Sequence, residues 1–231
     1  SCTLPQKHSS SYYAYYGFRD WTVTDDERLF GILSGYRYTY GSNAPVNYHR
    51  VMEMDISRDD TWTCIDSYDI SPSVGEYTGI AYDRQTDKVW VAHNAMNRLY
   101  AYDFAGDGTS TYTRSPDFYS YTSASGSNWE CGGTYGSSTK QMLRGLEVNG
   151  STFYMRCQED SPYNDRDQIE AWSVSGSSSA LIPESTTRQI SRLGYGLHFD
   201  GERFVTVDCG YSTWSGATLY YREFGTGWMY E

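Results

Sequence analysis

T-G-I-A-Y-D at 78–83, R-G-L-E-V-N at 144–149 and Y-G-L-H-F-D at 195–200 are three versions of one phrase. Each is followed by a turn-forming stretch and a second apolar run: Val89-Trp90-Val91, Phe153-Tyr154-Met155 and Phe204-Val205-Thr206. A polar loop and a third run come next: Leu99–Tyr102, Ile169–Trp172 and Leu219–Tyr221. A strand-and-turn unit recurring at a long period marks a repeat architecture. The first copy is the least regular, with Trp21-Thr22-Val23-Thr24 standing where the glycine phrase belongs. Counted from Trp21, Gly79, Gly145 and Gly196, the spacings are 58, 66 and 51 residues. The long one holds a Gly/Ser-rich insertion over 120–140.

Within a unit, period-two alternation and turn residues predict four antiparallel strands. In the second these are Gly79–Asp83, Lys88–His93, Arg98–Phe104 and Ser110–Arg114. In the third, Pro183 places the last strand at an edge. A single four-stranded sheet cannot bury both faces alone, and packing sheets radially around an axis buries both. The expectation is an all-β chain forming a four-bladed or five-bladed β-propeller over 19–231, closed by an N- or C-terminal strand. Residues 1–18 are expected as an arm. Its Tyr-rich stretch Ser10–Phe18 could supply the closing strand, lie over the surface or cross to a second copy. A two-layer sandwich is the rival fold, but it does not require a repeated phrase.

Composition narrows function. The 231 residues carry a net charge of −11, with 18 Lys and Arg that form no cluster, which argues against nucleic acid and anionic membranes as partners. No apolar run approaches the length that spans a bilayer. Aromatic residues make up 17%, too many for a disordered chain. Five cysteines lack zinc-finger spacing and fit long-range disulfides in an oxidising compartment. Cys2 could reach Cys64, Cys157 could bridge to Cys209, and Cys131 competes. Asn149-Gly150-Ser151 is both a glycosylation sequon and a hairpin-turn signal. A secreted mature chain is the expectation.

Gly79–Asp83 with Lys88–Val91 and Leu99–Tyr102, and likewise Gly145–Tyr154, resemble propeller blades of the olfactomedin and related extracellular types. The resemblance implies a radial architecture and an extracellular setting. That family's five blades and calcium site are not matched by four units and no corresponding ligand set, so no site is carried over.

No nucleophile elbow, Walker loop or dinucleotide fingerprint is present. His198, Arg144 and Glu147 occupy first strands, which line the channel of a propeller. They could bind a small polar ligand or do acid–base work, or simply pair with one another in a water-filled channel. His8 and His49 read as solvated tail and loop residues. Asp160, Asp165 and Asp167 crowd one loop and could hold Ca²⁺, although a solvated acidic loop is the default reading; no other cofactor is implied. Tyr36, Tyr38 and Tyr40 alternate, so they face one way; with Tyr119, Tyr121 and Trp129 they could stack on sugars or a protein partner. The leading expectation is a secreted, non-catalytic propeller for binding, adhesion or extracellular assembly, including self-association through the arm. The alternative is an enzyme acting on a glycan or small ligand at the channel mouth.

Overall fold

The computed structural model describes residues 9–42, 45–56, 62–70, 77–93, 97–105, 109–120, 134–135, 139–159, 166–174, 181–191, 197–199, 204–209 and 217–222. Among them there are strands and turns and no helix. Sixteen strands form four antiparallel sheets, each laid out in chain order. Sheet 1 holds β1 (Tyr12–Val23), β2 (Leu29–Thr39), β3 (Pro45–Ile56) and β4 (Trp62–Asp69). Sheet 2 holds β5 (Tyr77–Asp83), β6 (Lys88–His93), β7 (Arg98–Phe104) and β8 (Tyr112–Ser120). In sheet 3 the two-residue β9 (Thr134–Tyr135) precedes β10 (Thr139–Asn149), β11 (Thr152–Glu159), β12 (Arg166–Val174) and β13 (Leu181–Ser191). Sheet 4 has β14 (His198–Phe199), β15 (Phe204–Cys209) and β16 (Ala217–Arg222).

Side-chain parity stacks these sheets face to face. On β6, Val89 and Val91 join the core shared with sheet 1. Trp90 and Ala92 join the core shared with sheet 3. On β7, Tyr100, Tyr102 and Phe104 face sheet 1, while Leu99 and Ala101 face sheet 3. Sheet 2 is therefore buried on both faces, which explains why its strands are apolar at both parities. Sheet 3 repeats the plan: Phe153, Met155 and Cys157 face sheet 2, and Ile169 with Tyr154 meets Leu197 and Phe204 of the fourth unit. The opposite face of sheet 1 carries its own buried set, Leu33, Met52 and Met54, beside Phe18 and Trp21. Successive sharing of faces is not a two-layer sandwich.

Several boundaries differ from expectation. Tyr12–Phe18 is no separate arm: it is continuous with Trp21–Val23 in β1 and pairs with Leu33–Thr39 of β2. A bulge at Arg19 absorbs one residue and lets the ladder run through the expected boundary at residue 18. His49 lies on β3 and is buried rather than solvated. The β10–β11 turn residues are Gly150 and Ser151, because Asn149 pairs with Thr152. Gly150 has φ +62° and Ser151 is not in the left-handed region, the pattern of a type II′ hairpin with glycine first. The β8 strand starts at Tyr112 instead of Ser110. β13 continues through Pro183 as an edge strand, with a register shift beside it. The last stretch of the chain, 223–231, lies outside the described residues.

Gly79 of the phrase sits under β10. A Cβ there would lie 2.6 Å from a methyl of Leu143 and 2.8 Å from Cβ of Leu146. Both neighbours are fully buried, so neither can swing away. Gly79→Ala is expected to cost about 1–3 kcal/mol through overpacking, read as a lower urea midpoint at unchanged slope.

Candidate functional site

The strands that carry the phrase, β1, β5, β10 and β14, gather along a common line: β1 touches β5 and β10, and β10 touches β14. A register shift recurs in three of them, at Arg19, Thr78 and Arg144. Each bulge falls just before the glycine position of the phrase, which places Asp20, Gly79 and Gly145 in equivalent positions. The sequence reading aligned Trp21 with the glycines, one residue too far.

β1, β5 and β14 are edge strands, and β10 is flanked by β9 only at Thr139 and Lys140, so alternate N–H groups along them are directed away from the sheet and need acceptors. Asp20 meets three of them. Its Oδ2 accepts from the N–H of Ile80 at 3.1 Å and of Leu146 at 3.0 Å. Its Oδ1 accepts from the N–H of Trp21 at 3.0 Å. Trp21, Ile80 and Leu146 each follow the glycine position. Two residues along each strand the device recurs with other acceptors. Thr22 Oγ1 accepts from the Tyr82 N–H at 2.9 Å, and Glu147 Oε2 accepts from the Phe199 N–H at 3.2 Å. Burial pushes the Asp20 carboxyl well above the usual carboxylate range; the three N–H bonds oppose this, and the neighbouring Glu147 adds to it.

Of the residues singled out in the sequence, Glu147 and His198 are brought together, with His198 Nδ1 3.2 Å from Glu147 Oε2. The His198 side chain is 70% exposed and that of Glu147 15%. Arg144, half-buried, is the β10 bulge residue. Asp20 escaped the sequence reading; the missing signal was the repeated bulge, which turns an apparently absent glycine into an aspartate.

A second constellation lies between sheets 1 and 2. Arg28 grips Glu53 through Nε–Oε1 at 2.8 Å and Nη2–Oε2 at 3.1 Å, and Nη2 also donates to the Phe104 carbonyl at 3.1 Å. Tyr68 donates its hydroxyl to Glu53 at 3.0 Å. The Glu53 carboxylate raises the Arg28 pKa further. A cleft of about 80 Å³ beside Arg28 is walled by Thr24, Tyr82, Asp87, Tyr102 and Phe104. Tyr82 donates to Asp87 at 2.8 Å, and that bond, with burial, holds its phenol up at about 12. At the other end of the same interface, Ser34 Oγ and His49 Nδ1 are 2.8 Å apart, and Ser34 Oγ accepts from the Tyr77 N–H. The buried Tyr77 ring stands edge-on to His49 and His93, and burial drives its phenol pKa far up.

The tyrosine stripe forms a connected surface. Tyr13 stacks on Tyr38 at 5.2 Å and tilts against Tyr40 at 5.6 Å, and Tyr36 meets Tyr38 edge-on at 5.3 Å. Tyr40 is 53% exposed and Tyr36 36%. Tyr119 instead packs against Trp90 and Phe153 over the sheet 2–sheet 3 core. Asn149 is exposed. Tyr121, Trp129, Asp160, Asp165, Cys2 and Cys131 lie outside the described residues, and Asp167 and Cys209 are described only as backbone within β12 and β15. Among the described residues, no group of three or more His, Cys, Asp or Glu is placed to hold a metal ion.

No protein-family model matches the chain, and no curated protein matches it. Among solved structures it is similar to a luciferin-regenerating enzyme, at 10% identity and TM-score 0.49, over 91% of this chain and 62% of that one. It is also similar to a "putative 6-phosphogluconolactonase" from Bacteroides uniformis, at 11% identity and TM-score 0.39, over 90% of this chain and 72% of that one. This chain thus spans less than two thirds of the first structure's length. Neither likeness is close enough to carry an architecture or an activity over.

The inner-edge rule gives a test away from Asp20. Thr22→Val keeps shape and removes the acceptor for a part-buried N–H. A loss of about 1–3 kcal/mol is expected from stranding that donor; a variant with the wild-type urea midpoint would show that Thr22 is not needed there.

Proposed function

We propose that this chain is a secreted, non-catalytic four-bladed β-propeller that works by binding, with a glycan as its partner and an extracellular protein as the other outcome. The observation that carries the reading is the connected set of rings in which exposed Tyr36 and Tyr40 lean on the half-buried, stacked pair Tyr13 and Tyr38. It lies where β1 and β2 run on past Ser34, the residue that accepts from the N–H of Tyr77 at the start of β5. Tyrosine rings lose little side-chain entropy on binding and offer flat faces to sugar C–H groups, with hydroxyls at their rims.

Ring closure is supported by the buried apolar set on the outer face of sheet 1, which needs a covering layer just as the other three interfaces do. An oxidising compartment fits the five scattered cysteines; we assign Cys2 to Cys64, and because Cys157 faces sheet 2, away from the fourth unit, we assign its partner as Cys131 rather than Cys209. An exposed Asn149 in a sequon fits the same setting. Tyr12–Phe18 is committed to β1, so self-association through that segment is not part of the proposal.

The second reading, an enzyme at the channel mouth, draws on the Glu147–His198 pair. A glycan array separates the two. The triple variant Tyr36→Ala, Tyr38→Ala, Tyr40→Ala is expected to lose its glycan signal at least about 100-fold, at roughly 1–3 kcal/mol per stacked ring, with unchanged far-UV circular dichroism. His198→Ala is expected to bind normally. Binding that survives the triple variant but fails in His198→Ala would move the site to the channel mouth. Peptide mapping under non-reducing conditions is expected to yield Cys2–Cys64 and Cys131–Cys157 pairs.

A further inference from the structure

The phrase places glycine at its second position in three of its four copies, and Asp20 holds that position in the first. By repeat logic Asp20 is the odd residue, and Asp20→Gly would regularise the sequence. The geometry says the opposite. The bulges at Arg19, Thr78 and Arg144 put three equivalent backbone N–H groups, those of Trp21, Ile80 and Leu146, around one point on the line where the inner strands meet. They come from three different sheets, and one side chain accepts from all three. Converging N–H groups of this kind make an anion-binding concavity.

We propose that these three N–H groups form a carboxylate socket generated by the repeat itself, and that the Asp20 side chain is its resident ligand. The ligand class is a small planar carboxylate. One oxygen must accept two N–H bonds from different sheets and the other a third, which the Asp20 carboxylate does at 3.0–3.1 Å. The side chain is fully enclosed, so the socket is not open to exchange in the intact chain. Glycine at position 20 would empty it and leave a space the size of the missing side chain. Formate and acetate match that space and its donors. Sulfate, tetrahedral and doubly charged, does not.

The experiment compares wild type with Asp20→Gly in thermal melts. Each is run in sodium formate and in sodium sulfate at equal ionic strength. The substitution is expected to lower Tm by about 10 °C, the scale of stranding several buried donors in a chain of this size. Formate is expected to restore most of that loss in a saturable way while leaving wild type unchanged beyond the general salt effect. Sulfate is expected not to. Asp20→Gly as stable as wild type, or rescued equally by both salts, overturns the proposal. Should Asp20→Gly fail to fold in either salt, the wild-type chain decides. Through-hydrogen-bond scalar couplings from the amide nitrogens of Ile80 and Leu146 to a single side-chain carboxyl carbon support the socket, and their absence rejects it.

Discussion

The inner edges of the sheets impose the constraint that the rest of the molecule answers. A strand at a sheet edge pairs half of its N–H groups and leaves the other half facing outward. Here several such edges are brought together and shut off from water, where each unmet N–H would cost about 1–3 kcal/mol. The chain meets this with side chains from neighbouring edges: Asp20 for Trp21, Ile80 and Leu146, Thr22 for Tyr82, and Glu147 for Phe199. One carboxylate thereby ties three sheets. Enclosing it costs several kcal/mol of lost hydration, and three N–H bonds at roughly 1.5–3 kcal/mol each offset that. The net gain is small. The loss on removing the acceptor is large, because the donors stay behind.

That arrangement accounts for features further out. Sheets held at their inner edges must fill the wedge between them with side chains of both parities, and sheet 2 does so, with Trp90 and Val91 as chain neighbours serving opposite cores. The close approach of β5 to β10 leaves no room for a side chain at Gly79. Polar ties also cross the outer part of the first interface: Arg28 reaches the Phe104 carbonyl, Asp66 accepts from both the N–H and the hydroxyl of Ser110, and Tyr112 donates to the Asp69 carbonyl. The Ser110 and Ser67 bonds outweigh burial at Asp66 and leave its pKa lowered. Such bonds add register more than net stability, since each replaces bonds to water.

The all-β class and the division into four sheets were readable in the sequence because the phrase, the turns and the alternation agree in three copies and the turns and alternation alone mark the first. Strand ends were not. Polar residues such as Thr139 and Lys140 extend β10 well ahead of Gly145, since an antiparallel ladder can continue wherever a partner strand runs alongside. Histidines were misjudged for a related reason: His49 looks like a loop residue until β3 is seen to begin at Pro45. Of the three first-strand candidates, Glu147 and His198 lie within hydrogen-bond distance of each other. Asp20 could not be found by looking for catalytic residue types, because its role belongs to a bulge. The shift of one residue between Trp21 and Asp20 decides whether the first copy appears to lack the phrase or to carry its one acidic version.

The same geometry bears on where a ligand could act. In a channel meant for substrates, polar groups would be left facing open space. Here the carboxylate nearest the meeting line of the strands is fully committed to backbone donors, and Glu147, the next one, holds a backbone N–H of β14 as well as His198. A group that secures a sheet is poorly suited to give up its bonds during a reaction cycle, because each turnover would loosen β14 from β10. The tyrosine ladder carries no such duty. β1 and β2 continue past Ser34, and there the exposed rings of Tyr36 and Tyr40 lean on Tyr38 and Tyr13. Stacked rings left in water, on strands anchored a few residues away by Asp20 and Ser34, combine exposure with a rigid base. Recognition surfaces draw on both properties.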